Sequence, residues 1–366
     1  MGISFHREGW GMGRVKAVLI SMFSVLLLAG MLWLGGILSE GVRSGIVLCL
    51  TTVIPSLFLF TVLTNWMGST RILTWLGKGM SVVGRPVLGL SSAGCGVLLF
   101  SLLGGYPVGA ALLAQLVRQG QMSPKQASKM LCFCSWSSPA FLIQGVGGQV
   151  LGSSLAGVIL WLSQLMAALL LAALLRVKEN EGALPPPLPL PNAGNFFGSL
   201  RSSLGILGGI CGTVILCSGL FPLLELLPLS PLWDWTARGM AEVTNGCFCL
   251  PEGVSGFGIF CRLGFFAAFG GICVFCQNAL LVGGTGISLK WYLLTRLPIG
   301  LFCAGFCALC YPLLPQQAAE CFGSFAAPAG MAALSAATPL GSGLMVVLAI
   351  FLLSSAGKRD TMSSGA

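Results

Sequence analysis

The chain has 366 residues, of which 55% are hydrophobic and only 8% are charged, and its mean hydropathy is +0.92. This is more apolar surface than a soluble fold of that length could bury, so the composition predicts a multi-pass membrane protein. The net charge of +9 comes from 19 Lys and Arg residues against 10 acidic residues, and the cations are scattered between apolar segments. Scattered cations are typical of membrane-flanking anchors, which argues against nucleic-acid binding.

The 15 cysteines and the single histidine limit the chemistry that the chain could carry. Most of the cysteines lie within apolar segments, where a free cysteine behaves as a small hydrophobe. A metal site could be drawn at the pairs Cys132/Cys134 and Cys247/Cys249, but the spacing of zinc ligands is missing and His6 lies in the tail. Because the one histidine lies in the tail, the usual base for hydrolysis inside the membrane is not expected. We therefore expect no metal, no cofactor and no enzymatic activity.

The N-terminal part is expected to contain two spans and an interfacial helix. An apolar run over 15–38 is too long for a typical signal-peptide core, which predicts an uncleaved first span. A second span over 41–66 contains Pro55, which should kink the helix and free a carbonyl. The stretch over 69–85 places three cations among apolar residues, a pattern typical of a helix that lies along the membrane interface.

An apolar stretch over 98–119 is interrupted by Gly104-Gly105-Tyr106-Pro107. Neither half can cross a bilayer, since a span needs about 20 apolar residues, and Pro107 prevents a straight helix through the break. Backbone that leaves the helix at membrane depth is tolerated only where protein buries it or where it lines a cavity. The break therefore predicts a binding or gating element, with tight helix packing by the glycines as the structural alternative.

A second broken region lies between a short helix expected over 125–133 and a full span over 150–175. It contains Ser135, Ser137 and Ser138 beside a proline, which brings hydroxyl donors and unpaired backbone together. These serines are candidates for substrate binding, although such hydroxyls also bond back to their own helix.

The C-terminal half follows a proline-rich stretch over 179–199, which predicts an extended linker. A span over 204–227 is followed by a loop that carries Glu242 and Asn245. The next span is broken by Gly270-Gly271, and Gln277-Asn278 follow one to two turns later. These two amides are candidates for substrate binding, with contacts between helices as the alternative.

The two halves echo one another in the order of their motifs. Thr52-Val53-Ile54 precedes the first glycine pair, and Thr213-Val214-Ile215 precedes the second at a similar separation. This shared order favours duplication, and interrupted segments at corresponding positions of two halves indicate a transporter's substrate site. With the N-terminal tail in the cytoplasm, the distribution of Lys and Arg predicts that the two repeats are inverted.

Three motifs resemble those of the sporulation integral membrane protein family YlbJ, also called stage V sporulation protein SpoVV. They are Gly104-Gly-Tyr-Pro-Val-Gly109, Ser135-Trp-Ser-Ser-Pro-Ala-Phe141 and Glu242-Val-Thr-Asn-Gly246. The likeness covers roughly residues 41–311. It implies two nucleoside-recognition (Gate) domains, and transport of dipicolinic acid across the outer forespore membrane of an endospore former. It also implies a pocket role for Glu242 and Asn245, which would otherwise belong to a solvated loop.

We therefore predict an all-α multi-pass membrane protein with two inverted Gate-type repeats that contain broken or re-entrant helices. The expected units are an N-terminal tail and first helix (1–40), a first Gate repeat (41–178), a linker (179–199), a second Gate repeat (200–314), and a C-terminal helix and tail (315–366). The candidate substrate-binding residues are Gly104, Gly105, Tyr106, Pro107, Ser135, Ser137, Ser138, Glu242, Asn245, Gly270, Gly271, Gln277 and Asn278.

The predicted function is a permease in the lipid bilayer for a small anionic substrate. Helix N-termini that follow glycine pairs present free N–H groups and a positive dipole end, which suits a carboxylate. Partners could include a second copy of the chain or other sporulation membrane proteins. Two alternatives stay open: a permease for nucleosides or other small metabolites, and a sporulation assembly or signalling protein that moves no solute. Arg262 and Arg296 are expected to be interface anchors.

Overall fold

The computed structural model describes residues 32–175, 190 and 192–314, together with helical residues 18, 21–22, 24–25 and 28–30. The described residues form helices and turns without a strand, which confirms the all-α prediction. The polar N-terminal tail, most of the proline-rich linker, and the C-terminal unit over 315–366 lie outside the described residues.

Thirteen α-helices are named here in chain order along the part that the structure describes. They are α1 (Gly35–Leu48), α2 (Ile54–Gly68), α3 (Arg71–Leu88), α4 (Ser92–Gly104), α5 (Tyr106–Arg118), α6 (Pro124–Leu131), α7 (Ser154–Leu175), α8 (Ala193–Leu220), α9 (Pro231–Ala241), α10 (Val243–Phe248), α11 (Gly256–Phe269), α12 (Gly271–Val282) and α13 (Leu289–Cys310). Two π-helical segments, π1 (Cys49–Val53) and π2 (Ala140–Val150), and 3₁₀ turns at Phe221–Leu226 and Tyr311–Leu313 complete the set.

Several helices have the length and composition of membrane spans, which agrees with an integral multi-pass membrane protein. Within the described residues, four stretches are long and apolar enough to cross a membrane: Ser154–Leu175, Gly194–Leu224, Gly256–Val282 and Leu289–Leu313. Leu57–Gly68 and Ser92–Gly104 are shorter apolar helices. The amphipathic stretch forms α3, which leaves the side chains of Trp75 and Val82 exposed.

The helix over 35–68 and α8 lie antiparallel and in close contact; we call them the helix pair. A Cβ on Gly41 would lie 2.5 Å from the carbonyl oxygen of Ser218, so the backbones approach closely. At the other end of the pair, Asn65 donates to the carbonyl of Ser199 at 3.2 Å. The expected disturbance at Pro55 takes the form of π1, which lies directly before α2.

The start of α8 falls inside the stretch that was expected to be linker. The side chain of Asn192 accepts a hydrogen bond from the backbone N–H of Asn195 at 2.8 Å, and the helix begins at Ala193. An N-cap of this kind satisfies a free N–H group of the first turn. The helix therefore begins earlier than the proline content of 179–199 suggested.

The remaining helices, α3 to α7 and α9 to α13, form a second body with one large apolar core. In this body α4 and α5 form a hairpin around Gly105, whose φ of +83° is a backbone conformation that favours glycine. The hairpin closes tightly, since a Cβ on Gly109 would lie 3.1 Å from the Cβ of Ser101. A smaller apolar cluster, which includes Val53, Ile210 and Cys273, joins the helix pair to the body.

We predict that Gly77→Ala destabilises the fold and that Gly79→Ala does not. A Cβ on Gly77 would lie 1.8 Å from the carbonyl oxygen of Ser92, where α3 packs on α4, whereas nothing lies within 4 Å of a Cβ on Gly79. The first substitution should cost about 1–3 kcal/mol, and the second should add about 0.5–1 kcal/mol of helix stability. Thermal unfolding of the detergent-purified variants measures both. Equal midpoints for the two variants would contradict the packing of α3 on α4.

Candidate functional site

The two broken helices are joined by the side chain of Tyr106, which lies directly after the break at Gly105. Its hydroxyl donates a hydrogen bond to the carbonyl oxygen of Ala267 and accepts one from Ser137 Oγ at 2.8 Å. Ala267 belongs to the last turn of α11, where carbonyls lack helical partners. The ring also packs on the second break, since a Cβ on Gly270 would lie 3.1 Å from Tyr106 Cε1.

The expectation that Arg296 anchors the chain at the interface is wrong. Its side chain is only 3% exposed, and its guanidinium lies over the ring of Tyr292. One terminal nitrogen donates to the carbonyls of Ser135 at 3.1 Å and Ala268 at 3.3 Å, and the other donates to the carbonyl of Cys132. The charge is therefore placed against the carbonyl ends of α6 and α11, where helix dipoles favour a cation.

The segment between α6 and π2 is not helical, and side chains from other helices pair its backbone. The N–H of Ser137 donates to Gln164 Oε1 at 3.1 Å, and Gln164 Nε2 donates to the carbonyl of Ser137 at 3.0 Å. Gln164 is 1% exposed and lies in the middle of α7. Sequence reasoning missed this residue, although an amide within an apolar span is itself a signal, because such groups need partners inside the protein.

Two of the three candidate serines bond across the fold rather than to their own helix. Ser135 Oγ accepts a hydrogen bond from Asn278 Nδ2 at 3.0 Å and lies 3.3 Å from the hydroxyl of Tyr292. Ser137 contacts Tyr106, as described above. Ser138 bonds locally instead, since its Oγ accepts from the N–H of Phe141, in the first turn of π2, at 3.2 Å. Asn278 therefore joins α12 to the non-helical segment, and its role in substrate binding stays a prediction.

Glu242 is 3% exposed and caps the short helix α10. Its carboxylate accepts from the N–H groups of Thr244 at 2.9 Å and Asn245 at 2.8 Å, and from Asn245 Nδ2 at 2.9 Å. The start of α12 packs directly against this junction, because a Cβ on Gly271 would lie 2.9 Å from the carbonyl of Ala241. Glu242 and Asn245 thus lie beside the second break and not in a solvated loop.

A cavity of about 170 Å³ lies between the breaks, the segment before π2, and the helix pair. Eight of the candidate residues line it: Gly104, Gly105, Tyr106, Pro107, Ser137, Ser138, Glu242 and Gln277. The other five candidates contact these residues or the hydrogen-bonded side chains around Ser135 and Arg296; they are Ser135, Asn245, Gly270, Gly271 and Asn278. Residues that sequence reasoning did not propose complete the wall, among them Val53, Phe141, Gln144 and Val214. Their roles, like those of the candidates, stay predictions.

The cavity lining has no positively charged side chain of the kind expected for an anionic substrate, among the described residues. Among the described lining residues Glu242 is the one charged side chain, and no Lys or Arg is present. The first residues of α5 and π2 lie in the wall, and the N-terminal end of a helix carries a partial positive charge. The volume is below the roughly 300–1,000 Å³ of drug-sized ligand pockets, so the cavity suits a small solute.

Comparison with known proteins supports the predicted resemblance. Residues 50–154 match the family model described as "Gate: Nucleoside recognition", within the first expected repeat. The sporulation integral membrane protein YlbJ of Bacillus subtilis (strain 168) is 23% identical over 340 residues, which cover 81% of this chain and 83% of that protein. No solved structure matches the chain. The chain is thus an all-α, multi-pass membrane protein with a Gate domain and is similar to YlbJ along most of its length.

Proposed function

We propose that the protein is a permease that moves a small solute through the cavity between its broken helices. The observation that carries this proposal is the convergence of interrupted helices from both halves on one cavity within an apolar helical chain. Breaks at membrane depth require burial or a solute-filled space, and paired breaks are typical of transporter substrate sites. Helices broken only for packing would have no need of a cavity.

The proposed substrate is dipicolinic acid, and the proposed location is the outer forespore membrane. Similarity to a sporulation integral membrane protein supports a role in sporulation, and the family resemblance implies this substrate. A small aromatic dicarboxylate agrees with the small cavity, and the starts of α5 and π2 offer positive ends for one carboxylate. The inverted relation of the two halves is part of the same proposal, and each half has a long helix followed later by a helix that is broken at a glycine pair.

A second candidate is a permease for a nucleoside or another uncharged polar metabolite. Two observations favour it: the matched family model describes nucleoside recognition, and the described cavity wall contains a carboxylate without a cation. A carboxylate accepts hydrogen bonds from solute hydroxyls but repels a dicarboxylate. The charge of Glu242 therefore separates the two candidates.

We expect vesicles that contain the purified protein to take up labelled dipicolinate above the level of empty vesicles. The assay includes both protein orientations and, in separate runs, a proton or a sodium gradient. Uptake of labelled uridine is measured in parallel. Flux of uridine alone would select the second candidate, and absence of flux for both solutes would contradict the proposed permease.

Tyr106→Phe should reduce uptake by about tenfold while costing only about 1 kcal/mol of stability. The substitution keeps the ring against Gly270 and removes the hydroxyl that bonds Ala267 and Ser137. The matched control is Tyr311→Phe at the end of α13, far along the chain from both breaks and only partly buried. Unchanged uptake by the Tyr106 variant would limit that hydroxyl to a structural role.

Glu242→Gln should lower the KM for dipicolinate by about tenfold, because one like-charge repulsion is removed at nearly constant shape. The amide oxygen of Gln can still accept a hydrogen bond at the start of α10. Glu252→Gln, at an exposed position of the following loop, is the control. A higher KM for dipicolinate would argue against an anion beside Glu242.

A further inference from the structure

We infer that the solute path follows the boundary between the helix pair and the body, and that a neck between α2, α5 and α8 gates one side of it. We call this boundary the seam, and we define the neck by Thr61, Thr64, Pro107, Val108 and Ile206. The inference rests on the proposed function, since it names the route by which a solute reaches the cavity.

Four spaces follow one another along the helix pair. On the helix over 35–68, an open pocket of about 620 Å³ is lined by residues 37–48, the cavity by residues 53–60, and the neck by Thr61 and Thr64. A second open pocket of about 490 Å³ is lined by Asn65 and by Ser69, which directly follows the helix.

On α8 the order of the same four spaces is reversed in residue number. The first pocket is lined by Ser218, the cavity by Val214 and Ile210, the neck by Ile206, and the second pocket by residues 194–206. Because the two helices are antiparallel, a reversed order along α8 means the same order in space. The four spaces therefore form one row along the seam.

Close contacts hold the two helices of the helix pair together. The spaces therefore lie at the seam, where the helix pair meets the body. Between the two helices, a Cβ on Gly45 would lie 2.9 Å from the Cα of Ile215, and Ser203 Oγ donates to the carbonyl of Thr61 at 3.2 Å. Protein interiors contain few voids larger than a water molecule. A row of spaces on one side of a tightly packed pair is therefore a feature of the seam and not of the general packing.

The neck closes this row in the present conformation. Its volume is about 10 Å³, close to the minimum of roughly 10–15 Å³ that holds one water molecule. It shares Pro107 with the cavity and Ile206 with the second open pocket, so it lies between them. Thr61 Oγ1 is buried at the neck with no hydrogen-bond partner among the described residues. A solute that passes would offer this hydroxyl a partner.

At the other end of the cavity, a polar contact separates the cavity from the first open pocket. Glu242 lines the cavity and Asn245 lines that pocket, and the two side chains are hydrogen-bonded at 2.9 Å. The cavity is thus closed by a steric neck on one side and by a hydrogen bond on the other. Passage through the neck requires the side chains of α2, α5 and α8 to separate.

The test is Ile206→Trp, which fills the neck, with Leu204→Trp as the matched control. Leu204 lies two residues earlier on the same helix and is 55% exposed. We expect Ile206→Trp to reduce dipicolinate flux into vesicles by about tenfold or more, and Leu204→Trp to leave it unchanged. In detergent the hydrogen bond between Glu242 and Asn245 is the barrier between the cavity and the first pocket, and Ile206→Trp leaves it in place, so the Kd of labelled dipicolinate should stay within about twofold of the unsubstituted protein.

The outcomes separate the path from the function. If the unsubstituted protein carries dipicolinate and Ile206→Trp carries it equally well, the path through the neck is wrong while the permease stands. If the unsubstituted protein moves neither dipicolinate nor uridine, the proposed permease fails, and the path fails with it. Should Ile206→Trp not fold, Ile206→Ala decides: a wider neck predicts a several-fold faster initial flux, and an unchanged flux overturns the inference.

Discussion

The structure depends on one constraint: each backbone carbonyl that a helix break frees inside an apolar chain must find a donor. Unpaired buried peptide groups cost several kcal/mol where no water can reach them. Here the donors are side chains from distant helices, because Arg296 pairs the ends of α6 and α11, and Tyr106 pairs α11 at its break. Gln164 does the same for the extended segment at Ser137. The breaks can exist because these three side chains are in place.

These side-chain contacts lie on one side of the cavity, so a chain with broken helices can have a fixed wall beside an open space. The polar network beneath the cavity is buried and bonds both halves, so it fixes the positions of Tyr106 and the serines. The opposite wall comes from the helix pair, whose contact with the body is interrupted by a row of spaces. In the proposed permease, the network supplies the fixed wall and the helix pair supplies the moving wall that alternating access to a site requires.

The breaks could be predicted from sequence because their signals are local: Gly105 must adopt a positive φ, and Pro107 cannot continue a helix. Arg296 and Gln164 could not be assigned in the same way, since their partners lie 161 and 27 residues away in the chain and are chosen by tertiary packing. An arginine within an apolar run has the same local pattern whether it anchors at the interface or caps buried carbonyls. Likewise, the start of α8 was hard to predict, because its cap Asn192 lies among prolines that are typical of a linker.

The most direct test of the account is an experimental structure of the protein with saturating dipicolinate. We expect density for one solute molecule between Tyr106, Ser138 and Glu242, with the contacts of Arg296 unchanged. This expectation is contradicted by a bound solute anywhere outside this cavity, or by an empty cavity at a concentration that saturates transport.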